Sequence, residues 1–562
     1  MAVLTSLFVP WRAAWVLHED GDILVVDKPV GMSTHAPDPV RHDDVVSRLQ
    51  RWIAARDGVK QPYLGVHQRL DRDTSGVLLF ARSKEANKGL ADAFETHKAQ
   101  KTYLALATCR RPPPPEGTLV HDLVPIDDGL MRADAPSLRP PRNAQRAVTR
   151  FRVLERHGDR VLLSLMPETG RTHQLRVQCA AVGMPLVGDA RYGGVDAPRL
   201  MLHARSLSLP HPTRGGVARF EAETPRVFER WLRGEADDTP LVERLQAAAD
   251  RRLALADDAS TTAFRLAHDG DGVDAAVDLY GDHALVHFYT PTPDAATLDA
   301  VMALGVRGVY AKMRPKHASV VGDERRAEVA PPHALRGEDA PEEFVITELG
   351  LRYHVRLGDG LSTGIFLDQR EGRRRVRELA RDAAVLNLFA YTCPFTVAAA
   401  AGGARRTVSV DASQQALDRG RRNLALNGLE GGDHSFVTAD ALAWLAGAKG
   451  RRERFDLVVL DPPSYATVKG SRFSAESDYK KLAVMTFAVL APGGTMLACT
   501  NHKGIARMKF RRWLHEAARE AGCVLEKLRD VAPPVDFPAA PGAEPHLKSA
   551  LAVLSSGRRA AG

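Results

Sequence analysis

At 562 residues the chain is too long for one core, and size alone implies two to four domains. With 44% hydrophobic and 26% charged residues it has the composition of an ordinary globular protein, which excludes a disordered or low-complexity chain. A formal charge of +8 leans toward a polyanionic partner, five scattered cysteines without a C-x-x-C pair exclude a disulfide framework and a zinc cluster, and no apolar run reaches the length of a membrane span. "MAVLTSLFVPWRAAW" offers no basic leader before its short apolar run, so a cytoplasmic protein without membrane attachment or metal is expected.

Residues 1–235 read as a strand-rich domain. "GDILVVDKPVGM" predicts a strand over 22–26, stopped by Pro29 and Gly31. "HQRLDRDTSGVLLFARS" (67–83) then crowds Arg69, Asp71, Arg72 and Asp73 against Val77–Ala81, which reads as an interior strand. A carboxylate held beside an arginine at the mouth of a buried strand stays ionised and oriented, which suits a nucleophile. A helix begun by Ser83 puts Ala86, Leu90, Ala93 and Phe94 on one face. "KTYLALATC" and "RVLLSLM" (160–166) read as strands, with a stiff, exposed polyproline loop at 110–115 between them. In "ETGRTHQLRVQCAAVG", Leu175, Cys179 and Val182 form a helical stripe, and Gly183 stands where a C-terminal cap belongs.

Residues 236–261, polar and Ala-rich, read as a weakly helical linker. Residues 262–345 form a small α+β module with a hairpin turning at Gly281-Asp282, followed by a helix and the strand "GVYAKM". From 346 to 562 strands alternate regularly with helices, which predicts a doubly wound parallel α/β sheet: "VLNLFA", "RTVSVD", "HSFVTAD", "FDLVVLD" and "TMLACTN", with "HLKSALAVL" pairing antiparallel at the end. In such a fold the crevice lies at the carboxyl ends of the strands. Asn387, Asp411, Asp440 and Asp461 all stand there, and Asp461 opens the rigid "DPPSY" loop with Pro462 and Pro463. A dinucleotide fold would want G-x-G-x-x-G after the first strand, and "NLFAYTCPF" lacks it.

Five segments in order, "ILVVDKPVGMSTH", "RLDRDTSGVLLFARS", "KTYLAL", "GRTHQLRVQCAAVGMPLVGDARYGG" and "LMLHARSLSLPHP", resemble the RluA-type RNA pseudouridine synthases. The resemblance implies an α+β catalytic domain with a mixed, largely antiparallel sheet that isomerises uridine without a cofactor. It makes Asp71 the essential aspartate, which either attacks the nucleotide or deprotonates the ribose, Tyr103 the residue that stacks on the base and could remove the proton from carbon 5, and Arg176 the partner that keeps Asp71 ionised. Leu175 would pack against the base, and Arg69 and Arg72 would touch the RNA. Family members read His-Arg-Leu-Asp; here Gln68 intervenes, so His67 receives no role.

The second half resembles class I S-adenosylmethionine-dependent methyltransferases, and among them the RlmI/RlmK-like ribosomal RNA group. "GLSTGIFLDQREGR" matches that group's lead-in, which implies that Phe366, Gln369 and Arg370 lie against the cofactor together with Asn387, Asp411, Asp440 and Asp461. Relatives often have Gly-Gly where this chain has Cys393-Pro394, and Asp where it has Asn387. The resemblance places Asn501 where carbon-5 cytosine methyltransferases carry their nucleophilic cysteine, and Cys499 falls two residues earlier inside an apolar strand. Asn501, Pro462 and Pro463 are therefore expected to grip a base.

The expectation is a bifunctional RNA-modifying enzyme that makes pseudouridine and transfers a methyl group from S-adenosylmethionine to a base nitrogen, with guanine favoured. Ribosomal RNA is the favoured substrate and transfer RNA the second. The alternatives are a pseudouridine synthase whose second half is an RNA-binding scaffold, and a 5-methylcytosine enzyme.

Overall fold

The computed structural model describes residues 7–35, 43–314, 326–468, 471–539 and 543–557. The chain divides into two compact units, one of residues 8–243 and one of residues 244–562 with the first seven.

The first unit is built on an eleven-stranded sheet. Its order runs Val16–Glu19, Ile23–Lys28, Ser75–Ala81, Leu202–Pro210, Gln100–Thr108, Arg160–Pro167, Gln145–His157, Glu116–Pro125, Met131–Asp134, with two short strands at its side. Neighbours are antiparallel except at the centre, where Ser75–Ala81 runs parallel to Leu202–Pro210. Ser75–Ala81 is buried along its whole length because both of its faces are covered. Val77, Leu79 and Ala81 pack under Ala86, Leu90 and Ala93 of the helix Ala86–Glu95. Leu78 and Phe80 pack under Val45, Leu49 and Ile53 of Val45–Asp57. The period-2 alternation of a strand thus feeds two apolar layers, which explains the unbroken apolar run. Gly76 has φ +113° and its Cα lies against the Ala204 backbone, so a side chain there would collide with the parallel neighbour.

The helix Gln174–Ala181 buries Leu175 and Cys179. It ends as expected, with Gly183 at φ +76°. Val182, expected on the buried stripe, is 43% exposed, because the helix has already ended and its backbone turns the residue outward. Residues 236–260, expected as a linker, form the helices Leu241–Asp250 and Leu253–Asp257 with Leu245, Ala248, Ala249 and Leu253 buried.

In the second unit, Ala263–Ala267, Ala275–Tyr280, His283–Phe288, Gly308–Met313 and Arg336–Gly337 form a five-stranded sheet carrying the helix Ala295–Met302. The expected hairpin closes at Gly281, φ +66°. A second hairpin, Phe344–Glu348 with Leu351–Val355, leads into the larger sheet. That sheet has seven strands in the order His434–Thr438, Arg406–Asp411, Ala384–Leu388, Phe455–Leu460, Leu490–Thr500, Lys548–Leu554, Leu525–Val531. The first five are parallel and the last two antiparallel. Lys548–Leu554 was expected at the end of the sheet; it sits one place inside, because Leu525–Val531, too polar to show in the sequence, covers its outer edge. The chain leaves Ala384–Leu388 in one direction and returns to its other side at Phe455–Leu460. This switch point opens the crevice between the two strand ends.

Candidate active sites

In the first unit Asp71 lies in the turn before Ser75–Ala81, its carboxylate one-third exposed at 33%. The turn is clamped from below. Lys28, fully buried, donates from Nζ to the carbonyls of Pro29 (2.8 Å), Met32 (2.7 Å) and Arg72 (3.0 Å), and the Gly31 amide donates to the same Arg72 oxygen. Burial pulls the Lys28 ammonium down to about 7 against the charges of Asp73 and Asp71. Arg69 and Arg72 are exposed on the outside of this turn.

Arg176 reaches Asp71 from the helix Gln174–Ala181. Two buried glutamines pin that helix to the sheet: Gln174 donates to Val148 O and Thr149 Oγ1, and Gln178 to Leu119 O and Ala147 O. Arg176 gives Nε and Nη2 to the fully buried Asp189 at 2.7 and 2.8 Å, and its remaining Nη1 stands 3.5 Å from Asp71 Oδ2. Burial works against the guanidinium's charge, and the hydrogen bonds and charge of Asp189 outweigh it. Tyr103 sits mid-strand between Ala204 and Leu165, at the border of two apolar clusters. Burial and the neighbouring Asp71 charge push its phenol above the ordinary value. Leu175 is buried among Leu119, Leu165 and Met184. His67, given no role, bonds Asn87 Oδ1 at 2.8 Å.

In the second unit the loop after Ala384–Leu388 has an unusual backbone. Phe389, Tyr391 and Cys393 all have positive φ, at +57°, +49° and +59°. Left-handed backbone costs a non-glycine residue about 1–2 kcal/mol, so such a turn persists only where its surroundings hold it. Here Asp411 Oδ2 accepts from the Tyr391 amide (2.8 Å), Asn423 Nδ2 donates to Thr392 O (3.0 Å), and the Thr392 hydroxyl donates to Gly364 O. Cys393-Pro394 thus adopts the shape that glycines would supply, and Pro394 opens the helix Pro394–Ala401 at a position proline favours. The Cys393 thiol is sealed in and pushed up to about 12 by burial.

Around this loop stand an exposed Phe366 ring, 5.7 Å from that of Tyr391, and two carboxylates at strand ends. Asp411 holds Tyr391 and Ser413 amides with its two oxygens, each keeping a second lone pair. Asp440 caps the helix Ala441–Gly450 with Oδ1 and leaves its other oxygen open among the described residues. On the far side of the crevice Gln369 donates to Asp461 Oδ2 (2.8 Å), and burial with the nearby Asp368 charge raises the Asp461 carboxyl to about 7. Pro462 is buried and Pro463 exposed, and Ser464 Oγ donates to Asn501 Oδ1 at 2.7 Å, tying the proline loop to the end of the next strand.

The family profile of S-adenosylmethionine-dependent methyltransferases matches residues 279–551. A ribosomal RNA large subunit methyltransferase of Deinococcus radiodurans is 34% identical over 316 residues, which cover 54% of this chain and 76% of that protein. Ribosomal RNA large subunit methyltransferase I of Klebsiella pneumoniae is 30% identical over 376 residues, 61% of this chain and 94% of the relative. The chain belongs to the S-adenosylmethionine-dependent methyltransferases. Residues 22–181 match the family profile of RNA pseudouridylate synthases. The crystal structure of SMU.776 complexed with SAH aligns with a TM-score of 0.50 at 27% identity, covering 62% of this chain and 87% of that one.

The methyltransferase crevice fits its cofactor. A carboxylate for vicinal hydroxyls, a second with a free oxygen for an amine, and an exposed aromatic ring are the partners that an adenosyl group requires. When bound, S-adenosylmethionine supplies the activated methyl group. Two of the expected contacts change role. Arg370 gives its guanidinium to Asp536 (2.7 Å) and Ala263 O (3.1 Å), a structural pairing in which the residue is 2% exposed and turned away from the open crevice's carboxylates. Asn387 is 1% exposed and donates to Thr396 Oγ1 (2.9 Å), which bonds Ser409 Oγ, so it braces the first strand against the helix behind the crevice.

In the synthase site the expected Arg176–Asp71 pair is secondary to the bidentate pair with Asp189. "GDARYGG" lay within a recognised motif, but nothing in its spacing marks Asp189 as the arginine's anchor. Lys28 was missed for the same reason: its three acceptors are backbone carbonyls.

Proposed function

We propose that this protein modifies large-subunit ribosomal RNA at two bases, turning a uridine into pseudouridine and methylating a guanine nitrogen. The ribosomal RNA substrate is supported by the curated relatives, which are large subunit methyltransferases. The pseudouridylate synthase domain joined to them adds a second RNA chemistry on the same chain. In the synthase half Asp71, kept open to substrate and faced by Arg176, acts on the nucleotide while the N1–C1′ bond breaks and the base rejoins the ribose through carbon 5, which loses its proton as N1 gains one.

The choice of nitrogen is carried by Cys499. Carbon-5 methylation needs a thiolate that adds to the ring. Cys499 is 0% exposed inside the strand Leu490–Thr500, accepts from Ser549 Oγ at 3.4 Å, and has its thiol pushed far above its ordinary value by burial and by the Asp461 charge. Such a thiol stays protonated and out of reach. Asn501 and the proline loop, joined through Ser464, offer an amide and backbone groups to a base edge instead. Nitrogen methylation needs only a lone pair held in line.

Nucleoside mass spectrometry tests both halves on unmodified large-subunit ribosomal RNA incubated with enzyme and S-adenosylmethionine. Pseudouridine and a methylguanosine are expected, and Cys499→Ser should methylate at nearly the wild-type rate. 5-Methylcytidine in the digest, or loss of methylation in Cys499→Ser, would overturn the nitrogen assignment. Modification of transfer RNA alone would overturn the substrate.

A further inference from the structure

The synthase site contains a histidine whose ring is held by a tyrosine. His173 immediately precedes the helix Gln174–Ala181 and has φ +52°, a left-handed backbone in a non-glycine residue. Its ring is held by Tyr192. Nδ1 lies 2.9 Å from the Tyr192 hydroxyl, and the two rings meet edge to face at 5.7 Å. The hydroxyl oxygen also accepts from the Met131 amide at 3.0 Å.

One arrangement of protons gives the Tyr192 hydroxyl both an amide to accept from and a nitrogen to donate to. The Tyr192 oxygen is engaged as an acceptor, and among the described residues its own proton has one acceptor to go to, His173 Nδ1. Burial raises the Tyr192 phenol above its ordinary value, so that proton stays in place. An imidazole that accepts at Nδ1 carries its hydrogen on Nε2. No described residue bonds Nε2. Burial pushes His173 below its usual range against the pull of Asp71, and Arg176 and Arg191 push the same way, so the ring is neutral. Neutrality matters here. A cationic His173 beside Asp71 would compete with Arg176 for the carboxylate, whereas a neutral one donates a hydrogen bond and leaves that pairing intact.

We propose that His173 touches the RNA, donating Nε2–H to a phosphate oxygen beside the target uridine, with Tyr192 as the positioning residue that sets its tautomer. The acceptor's class follows from the surroundings. Arg176 and Arg191 act on the ring, Arg171 lies exposed two residues before it, and Arg69 and Arg72 are exposed on the Asp71 turn. A donor set among guanidinium groups suits a phosphodiester better than a neutral carbonyl. The proposal rests on the pseudouridine synthase reading of this half.

The test measures kcat and KM for pseudouridine formation by the full-length enzyme, on a synthetic ribosomal RNA fragment spanning the mapped uridine. A second fragment carries uncharged methylphosphonates at the phosphates on either side of that uridine. His173→Phe should raise KM about tenfold or more on the ordinary RNA with kcat within about twofold, the scale of one hydrogen bond to a charged acceptor. On the methylphosphonate RNA it should cost nothing further. His173→Gln, whose amide N–H can replace Nε2–H, should recover most of the loss. Tyr192→Phe should raise KM by a smaller factor, and ¹⁵N spectra of the labelled histidines should show His173 acquiring the Nδ1–H form. An equal loss on both RNAs, an unchanged KM in His173→Phe, or an unchanged tautomer in Tyr192→Phe would overturn the proposal. If His173→Phe fails to fold, His173→Gln and Tyr192→Phe decide the matter. Wild-type enzyme that makes no pseudouridine would overturn the underlying reading instead.

Discussion

The two sites solve the same problem, holding a carboxylate in place at the edge of an open site, with opposite materials. In the synthase half a side-chain ion pair does the holding. Both oxygens of Asp189 accept from Arg176, which leaves the guanidinium's Nη1 facing Asp71. In the methyltransferase half the backbone does it. Asp411 and Asp440 spend oxygens on amides of the strand-end turns, and the loop at 389–393 takes a strained path to present its groups. A site built on one charge should fail completely when that charge is lost. One built on shared backbone turns should weaken by degrees.

The largest effect should therefore come from Asp71→Asn. It should lower uridine isomerisation by about three orders of magnitude or more, as the loss of a reacting group does, with methyl transfer intact. Tritium release from RNA labelled at uridine carbon 5 reads this directly, and near-normal release would remove Asp71 from the chemistry.

Asp189→Asn should come next. It leaves the Arg176 guanidinium, 8% exposed at the side chain, without its full counter-charge, and breaking a buried pair costs about 3–5 kcal/mol. Urea unfolding should show the loss in the synthase half, together with reduced isomerisation. If stability is unchanged, Asp71 alone suffices to neutralise the arginine and the contrast between the sites is weaker than drawn.

On the methyltransferase side Asp411→Ala should weaken S-adenosylmethionine binding by about two orders of magnitude, roughly 2–3 kcal/mol, and lower methylation without abolishing it. Calorimetry measures this, and complete loss of binding would show that this site too depends on a single side chain.

The smallest effect concerns Asp461 and pH. Its carboxyl titrates near 3.8 in the unfolded chain and at about 7 when folded, so between these values the folded state binds more protons than the unfolded. Stability of this half should fall as pH rises through that window, with the penalty complete above about 7. Asp461→Asn should flatten the slope, which is worth roughly 2 kcal/mol after allowance for its partial exposure. Unfolding midpoints at pH 5 and pH 8 provide the comparison, and an equal slope in both proteins would mean that the carboxyl is not buried in solution.

Much of this was legible in the chain itself. The unbroken run Val77–Ala81 announced a strand covered on both sides, and the charges before it placed Asp71 in the turn at its mouth. The alternation after residue 346 fixed the parallel sheet, and with it the strand ends where Asp411, Asp440 and Asp461 stand. Cys499 inside an apolar strand already read as a buried thiol.

Tertiary structure decided what each charged group is spent on. A guanidinium has five donors and no preference written in sequence. Arg176 goes to Asp189 before Asp71, and Arg370 goes to Asp536, because partners 13 and 166 residues away happen to lie within hydrogen-bond reach after folding. Sequence spacing carries a period for apolar burial, since every core residue needs only some apolar neighbour. An ion pair or a hydrogen bond to a ring nitrogen needs one particular atom at about 3 Å, and for Arg176 and His173 that atom is supplied by a segment with which the residue shares no local pattern.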